Sequence, residues 1–524
     1  MKKEQFYEAM GDIDDRLVNE ASRSAQVKPK TWRYFAAAAA CLVVCAGAGA
    51  ALNHIYNGRN TVPVENESSA ASGTSAQPAA GANTSAPTTQ QTETINIEPP
   101  ASAKKCKVLA EAVYPELPPY PEMPTEGTEE EWEKFTALQE EWWNANKVLS
   151  EQPEGFDKGM DEFFRNSVGT LMTEQDGTNK VYSPASLYMA LGMSAEITDG
   201  NSRGQILGLL GQDSIEEMRS HAKSVWQSVY KKDNTATCVL ADSLWMNSMF
   251  PCKQSTADSL AENYYASIFT GDPAAEEYTQ MFRGWIDGQT DGLLGDYTKE
   301  LKLDPDMVMT LASTVNYSGK WLEKFQKENT SAETFHAPSG DREAQFMHAD
   351  RQTAYWSGGN FGAISMSLEN NGEMRLILPD EGFSAEELFT DGDALNFMTS
   401  WNDYENGEYS IVHMSVPKFD VSAHINLSTE LKKLGVTDIF DSSISDFTPL
   451  TEDIGGIFIS QAEQDSRVMI DEEGCRAAAV TIMGGMGAGA PDNEVDFVLD
   501  RPFVFEIVGG NGIPLFVGVV NVPE

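Results

Sequence analysis

The sequence predicts an α+β domain over residues 155–524, and two observations carry that class. Helical spacing dominates early, where Met160, Phe164, Val168 and Leu171 fall on one face of an amphipathic helix. Later, β-rich runs take over at Met374–Leu378, Ile411–Val416, Phe503–Val508 and Leu515–Val520, with one further helical stretch at Leu427–Leu434. No internal repeat is visible. Helices gathered before strands favour α+β over a doubly wound sheet, in which the two would alternate.

The chain ahead of this domain reads as four further pieces. Residues 1–33 form an N-terminal segment in which Lys28, Lys30 and Arg33 precede an uncharged run beginning at Tyr34. That run, residues 34–53, is long enough to span a hydrocarbon core, and the preceding cations would hold the N-terminus in the cytoplasm. A transmembrane signal-anchor is therefore expected, with cleavage near Ala46–Ala51 or lipid attachment at Cys45 as alternatives. Residues 57–104 are rich in Ser, Thr, Ala, Gly and Pro, with almost nothing to bury, as a flexible linker should be. In the extension at 105–154, Thr128 and Glu131 form a capping box, and Trp132, Phe135, Leu138 and Trp142 share a helical face expected to pack on the main domain.

With 80 acidic and 37 basic residues the formal charge is −43, which excludes nucleic acid and anionic membrane surfaces as partners. Six histidines and no paired Cys-x-x-Cys give no basis for a metal site, and no cofactor is expected. Cys106, Cys238 and Cys252 lie at spacings that establish no disulfide framework, so any pairing among them stays open. Gly192-Met193-Ser194-Ala195-Glu196 begins like a nucleophile elbow but lacks the closing glycine and a preceding strand. Gly484-Gly485-Met486-Gly487-Ala488-Gly489 lacks the Lys-Ser/Thr ending of a phosphate loop. The residues do not describe an enzyme.

Residues 470–491 are the most unusual stretch. They begin as a buried strand, cross an acidic turn at Glu472-Glu473-Gly474, and stay uncharged from Ala477 to Ala490 before strand character returns at Val495-Asp496-Phe497. Surface loops favour Asn, Asp, Ser and Pro. A loop written as a latent strand suggests insertion into a sheet.

Several short motifs occur in order across the domain. They are Val181-Tyr182-Ser183-Pro184-Ala185-Ser186-Leu187, Trp285-Ile286 with Thr290-Asp291-Gly292, Gly319-Lys320-Trp321-Leu322-Glu323-Lys324-Phe325, Val416-Pro417-Lys418-Phe419 and Arg501-Pro502-Phe503. Together they resemble the serpin family over about 370 residues, most closely the membrane-anchored serpins of gut-dwelling Gram-positive bacteria. The resemblance implies a large antiparallel central sheet, flanking helices and an exposed reactive-centre loop. It also implies a monomeric inhibitor of serine or cysteine proteases, in which loop cleavage traps an acyl-enzyme and the freed loop inserts into the sheet.

On that resemblance the hinge is Glu472, Glu473, Gly474, Cys475, Arg476, Ala477, Ala478, Ala479, Val480 and Thr481. Strand alternation gives Cys475, Ala477, Ala479 and Thr481 one face, which the family buries. All four are small and uncharged, so burying them costs no ion desolvation. Insertion needs roughly fifteen residues, about 50 Å at ~3.3 Å each. Counting from Gly474 puts the cleaved bond at Ala488–Gly489, with Met486, Gly487 and Ala490 as alternatives. The absence of basic or aromatic residues from Ala477 to Ala490 points to elastase-like or subtilisin-like proteases with small apolar pockets. The opening region of the sheet is expected at Ser183, Ser186, Ser313, Trp321 and Gln464. Gln464 stands where the family often has histidine, so no pH-sensitive shutter is expected. A surface-anchored extracellular inhibitor is the leading reading, or a secreted one if the anchor is cleaved. A non-inhibitory serpin or cell-surface binding module, cleaved as a plain substrate, is the alternative.

Overall fold

The computed structural model describes residues 106–524 apart from 125–126, 300, 370–371, 401–406, 453–454, 460–461, 476–492 and 524. The expectations for residues 1–104, including the anchor and linker, lie outside the described residues. Among the described residues no helix is long and apolar enough to cross a membrane.

The helices are α1 (Glu129–Ser150), α2 (Met160–Leu171), α3 (Pro184–Glu196), α4 (Gly200–Leu209), α5 (Ile215–Val229), α6 (Gln254–Tyr264), α7 (Glu276–Gln289), α8 (Gly295–Thr298), α9 (Gly392–Ser400) and α10 (Leu427–Lys433). The strands run β1 (Lys107–Ala110), β2 (Lys180–Tyr182), β3 (Lys231–Lys232), β4 (Thr237–Asn247), β5 (Ala266–Gly271), β6 (Met309–Lys320), β7 (Thr330–Ala337), β8 (Gly340–Ser357) and β9 (Phe361–Ser367). They continue through β10 (Glu373–Pro379), β11 (Gly407–Pro417), β12 (Phe419–Asn426), β13 (Glu463–Asp471), β14 (Gly474–Cys475), β15 (Glu494–Val498), β16 (Phe503–Val508) and β17 (Pro514–Val520). Among the described residues eight of the ten helices precede β6, which is the segregation that predicted α+β.

Two sheets result. The first has the order β1-β5-β4-β6-β14-β13-β12, with β3 paired to β4. It is antiparallel except at β4 and β5, which run parallel. Their connection through α6 is a crossover, which forces that direction. The second sheet has the order β15-β11-β8-β9-β10-β16-β17-β2, with β7 paired to β8, and β15 lies parallel to β11.

Side-chain chemistry explains the layering. Helix α3 is buried at almost every position, and its small residues permit this: a methyl added at Gly192 would come within 2.7 Å of Met218. Ser183 caps its N-terminus and Pro184 occupies the first turn, where no amide donor is needed. On the opposite face of the first sheet a second apolar cluster gathers Trp245 and Phe269 with Tyr278, Phe282 and Ile286 of α7. Helix α7 thus covers the outer face of β4 and β5.

One expectation changes. The capping box of α1 forms through Thr128 and Glu131, but the Trp132–Trp142 face is not a continuous buried stripe. Phe135 is buried, whereas Trp132 and Leu138 are 36% and 41% exposed. The helix is fixed instead near its C-terminal half, where the Trp142 indole donates to Asp233 at 2.9 Å and Lys231 sits over its ring. Polar anchoring adds to the apolar contacts that Phe135 and Leu149 keep, Leu149 within the main core. Cys106, Cys238 and Cys252 are free thiols.

Candidate functional site: the hinge and the shutter of the first sheet

Strand β13 ends in a turn that the sequence specifies closely. The Asp471 carboxylate accepts from the amides of Glu473, at 2.8 Å, and Gly474, at 3.3 Å, in a local Asx turn. Gly474 then adopts φ +134°, and a Cβ there would lie 2.7 Å from Gly319 O, Lys320 Cα and the Trp321 amide nitrogen. Only glycine fits both the angle and the space. The chain leaves this turn as β14. Its two residues pair with Ile470 and Asp471 on one side and with Gly319 and Lys320 on the other.

The turn is held by side chains from three other segments. The Trp321 indole donates to the Asp471 carbonyl at 2.9 Å, and the backbone amides of Trp321 and Phe325 donate to the carbonyls of Glu473 and Glu472. Lys418 meets the Glu472 carboxylate at 2.6 Å, and the Thr330 hydroxyl donates to the same oxygen at 2.8 Å. Burial drives the Glu472 carboxyl up, but hydrogen bonds from Lys418, its own backbone amide and Thr330 outweigh this and hold it below its ordinary range. Glu473 is held low chiefly by the hydrogen bond from Lys324, at 2.6 Å. The two acidic residues are thus staples rather than solvated turn residues.

Further along, β6 and β13 share no ladder pair among the described residues except through β14. Ser313, Val315 and Tyr317 from one strand and Ser466, Arg467 and Met469 from the other line two narrow clefts. Leu293, in the turn after α7, lines both clefts, and its carbonyl accepts from Arg467 at 3.2 Å. Arg467 also grips Asp420 of β12 through two hydrogen bonds, at 2.8 and 2.6 Å.

Beneath the clefts lies a polar cluster. The Ser186 and Ser313 hydroxyls are 2.8 Å apart, linking α3 to β6. The Gln464 side chain closes on the backbone of Ser183, accepting from its amide at 3.0 Å and donating to its carbonyl at 3.2 Å. This links α3 to β13. Glutamine satisfies both backbone groups of one residue at once, and it does not titrate.

Ser183, Ser186, Ser313 and Gln464 therefore come together, while Trp321 stands apart at the hinge. Glu472 and Glu473 are clamped there, and Gly474 and Cys475 form β14. Arg476, Ala477, Ala478, Ala479, Val480 and Thr481, and the bond candidates Met486, Gly487, Ala488, Gly489 and Ala490, lie outside the described residues. Ser194 of the elbow-like motif sits within α3 with its hydroxyl bonded to the Ala190 carbonyl at 2.8 Å. Sequence reasoning missed three roles. Lys418 and Lys324 stand in quoted motifs, yet nothing local marks them as hinge partners. Asp242 lies fully buried on β4 behind the shutter, and only its place amid Leu240, Ala241, Leu244 and Trp245 hinted at burial.

Three comparisons bear on this arrangement. The family model described as serpin (serine protease inhibitor) matches residues 159–523. The leukocyte elastase inhibitor of Homo sapiens is 27% identical over 372 residues, covering 67% of this chain and 95% of that protein. The putative serpin-Z12 of Oryza sativa subsp. japonica is 28% identical over 372 residues, covering 66% and 86% respectively. Among solved structures, the thermophilic serpin tengpin in its native state is similar with a TM-score of 0.63 at 26% identity, covering 71% of this chain and 95% of that one. The match runs through the hinge, the clefts and the shutter, and the chain belongs to the serpin family of serine protease inhibitors.

Proposed function

We propose that this protein is an extracellular inhibitor of elastase-like serine proteases that is consumed as it acts. A protease serine attacks the carbonyl of Ala488, and the bond to Gly489 breaks as the new amino terminus takes a proton. The enzyme remains esterified to Ala488. The released segment then extends β14 between β6 and β13, carrying the ester-linked protease away before water can attack. The protein itself turns over no substrate.

One observation supports this reading above the others: β14 already pairs with both strands that flank it, and past Arg476 the chain is uncharged and mostly small from Ala477 to Ala490. Growth from β14 adds hydrogen bonds to β6 and β13 in turn, at alternate residues. The specificity rests on the apolar, non-aromatic tip, and the name of the human relative agrees with it. Display on the cell surface, in the manner of anchored serpins of gut Gram-positive bacteria, rests on the apolar run 34–53 and the cations before it.

The test mixes the full-length protein with pancreatic or neutrophil elastase. An SDS-stable complex and a released C-terminal peptide beginning between Gly487 and Ala490 are expected. Cleavage with no complex would instead favour a plain substrate. Membrane fractionation with protease shaving tests the anchor and its orientation.

A further inference from the structure

Behind the shutter lies a cavity of about 60 Å³, walled by α3, β4, β6, α10 and the approach to β13. A single water needs about 10–15 Å³, so the space exceeds one water and has room for a ligand of a few heavy atoms. Its walls are mostly aliphatic and aromatic, with Leu187, Leu311, Leu431 and Phe440 among them. Four polar side chains reach it: Ser194, Asp242, Ser313 and Gln464. Three are already partnered, Ser194 with the Ala190 carbonyl, Gln464 with the Ser183 backbone, and Ser313 with Ser186.

Asp242 is the exception. Its residue is fully buried, and neither carboxylate oxygen has a hydrogen-bond partner. Ser313, opposite it in the ladder, directs its hydroxyl to the Ser186 carbonyl at 3.3 Å, and its pull lowers the Asp242 carboxyl only in part against burial. Burial pushes this carboxyl up to about 7. No cation faces it from α3, β6, α10 or β13 among the described residues. The titratable group that senses it is the Tyr114 phenol, driven upward by burial and then by the Asp242 charge. Above about pH 7 the cavity therefore holds mainly a desolvated carboxylate with no counter-charge from these elements. The usual obstacle to a buried ion pair is the cost of desolvating both partners. Here the protein's half is already desolvated.

We infer that this cavity is a binding site for a small organic cation, an ammonium head on Asp242 with a compact apolar body against the leucines. Because β6 and the approach to β13 form two of its walls, an occupant ties together strands that the proposed insertion must separate. That functional consequence rests on the inhibitor reading; the binding itself does not.

The probe is ethylamine, with ethanol as its neutral counterpart, titrated calorimetrically into the full-length protein without protease. Saturable binding of the amine at pH 8 is expected, at least about tenfold tighter than the alcohol. Between pH 8 and pH 6 the amine should weaken by about tenfold, the ratio of ionised Asp242 with its carboxyl near 7. Asp242→Asn should remove the preference for the amine and its pH dependence while leaving weak binding of both. Equal binding of the two ligands, or an unchanged preference in Asp242→Asn, overturns the site. If that variant does not fold, Ala190→Leu decides, since it fills the cavity from α3. Amine binding that survives this filling also overturns the site. A slower rise of the SDS-stable complex with elastase when the amine is present is the functional readout. Its absence with binding intact would count against insertion, not against the cavity.

Discussion

The clamp on Glu472 makes a prediction that can be worked from distances. Lys418→Met leaves a carboxylate whose side chain is 7% exposed, with only Thr330 and its own backbone amide to satisfy it. Breaking a fully buried pair on one side costs about 3–5 kcal/mol. The Lys418 side chain is 33% exposed, so solvent screens the interaction, and one hydroxyl donor survives. We expect a loss of about 2 kcal/mol, in the range of one hydrogen bond to a charged group. Glu472→Gln should cost less, about 1 kcal/mol or under, because Lys418 can turn to water and the amide oxygen still accepts from Thr330. The double variant should recover part of what Lys418→Met loses, since no uncompensated charge remains. Urea unfolding of the four proteins at pH 7 measures the cycle. The pH dependence adds a check of sign. Because the Glu472 carboxyl is held below its ordinary 4.5, its stabilisation is present above that pH and is lost as pH falls through the lowered value. Lys418→Met should flatten this acid limb. A Lys418→Met protein within 0.5 kcal/mol of wild type, or a costlier Glu472→Gln, would refute the clamp.

Other perturbations read different parts of the site. With the Asp242 carboxyl at about 7 in the fold against 3.8 unfolded, stability should decline from about pH 4 to pH 7 and then level, by at most about 4 kcal/mol. Asp242→Asn should remove that slope in thermal unfolding across pH. Gly474→Ala forces a methyl into the backbone of β6 at φ +134° and should cost about 1–3 kcal/mol, measured by chemical denaturation, while slowing complex formation. Ala477→Asp combined with Ala479→Asp would bury two carboxylates on insertion. The stoichiometry of elastase inhibition should then rise several-fold, as cleavage outruns trapping; unchanged stoichiometry refutes insertion along that face.

Much of the fold was legible because its determinants are local. Periodicity located α2 and α10, and β-rich runs located β10, β16 and β17, within a residue of their ends, whereas β11 begins four residues before the expected run, at Gly407. The Glu472–Gly474 turn was visible too, since glycine and acidic residues mark turns. What stayed hidden is contact across the chain. Lys418 lies 54 residues before Glu472, and its role depends on β12 lying next to β13. The parallel run of β4 and β5 follows from a crossover that propensity does not encode. The Trp132–Trp142 face is buried only in part for a related reason, because periodicity reports which residues share a side and not what lies opposite. Gln464 carries no titratable group, yet Asp242 places one behind the same shutter. A lone aspartate in an apolar strand gives no sign of whether a partner waits for it.

The place of β1 in the first sheet has an implication for how such a molecule survives in company. A sheet able to accept a strand in its middle is also able to accept one at its rim, and from another molecule. Strand β1 covers β5 with only four residues, and its pairing is interrupted by a bulge between Val108 and Ala110. The Ala112 amide beyond it turns to the Ser267 hydroxyl rather than outward. Short, irregular borders of this kind offer a stranger little to pair with. The extension that precedes the main domain thus closes the β5 rim of the sheet, so that on the proposed mechanism the seam between β6 and β13, and not that rim, is the entrance for a strand.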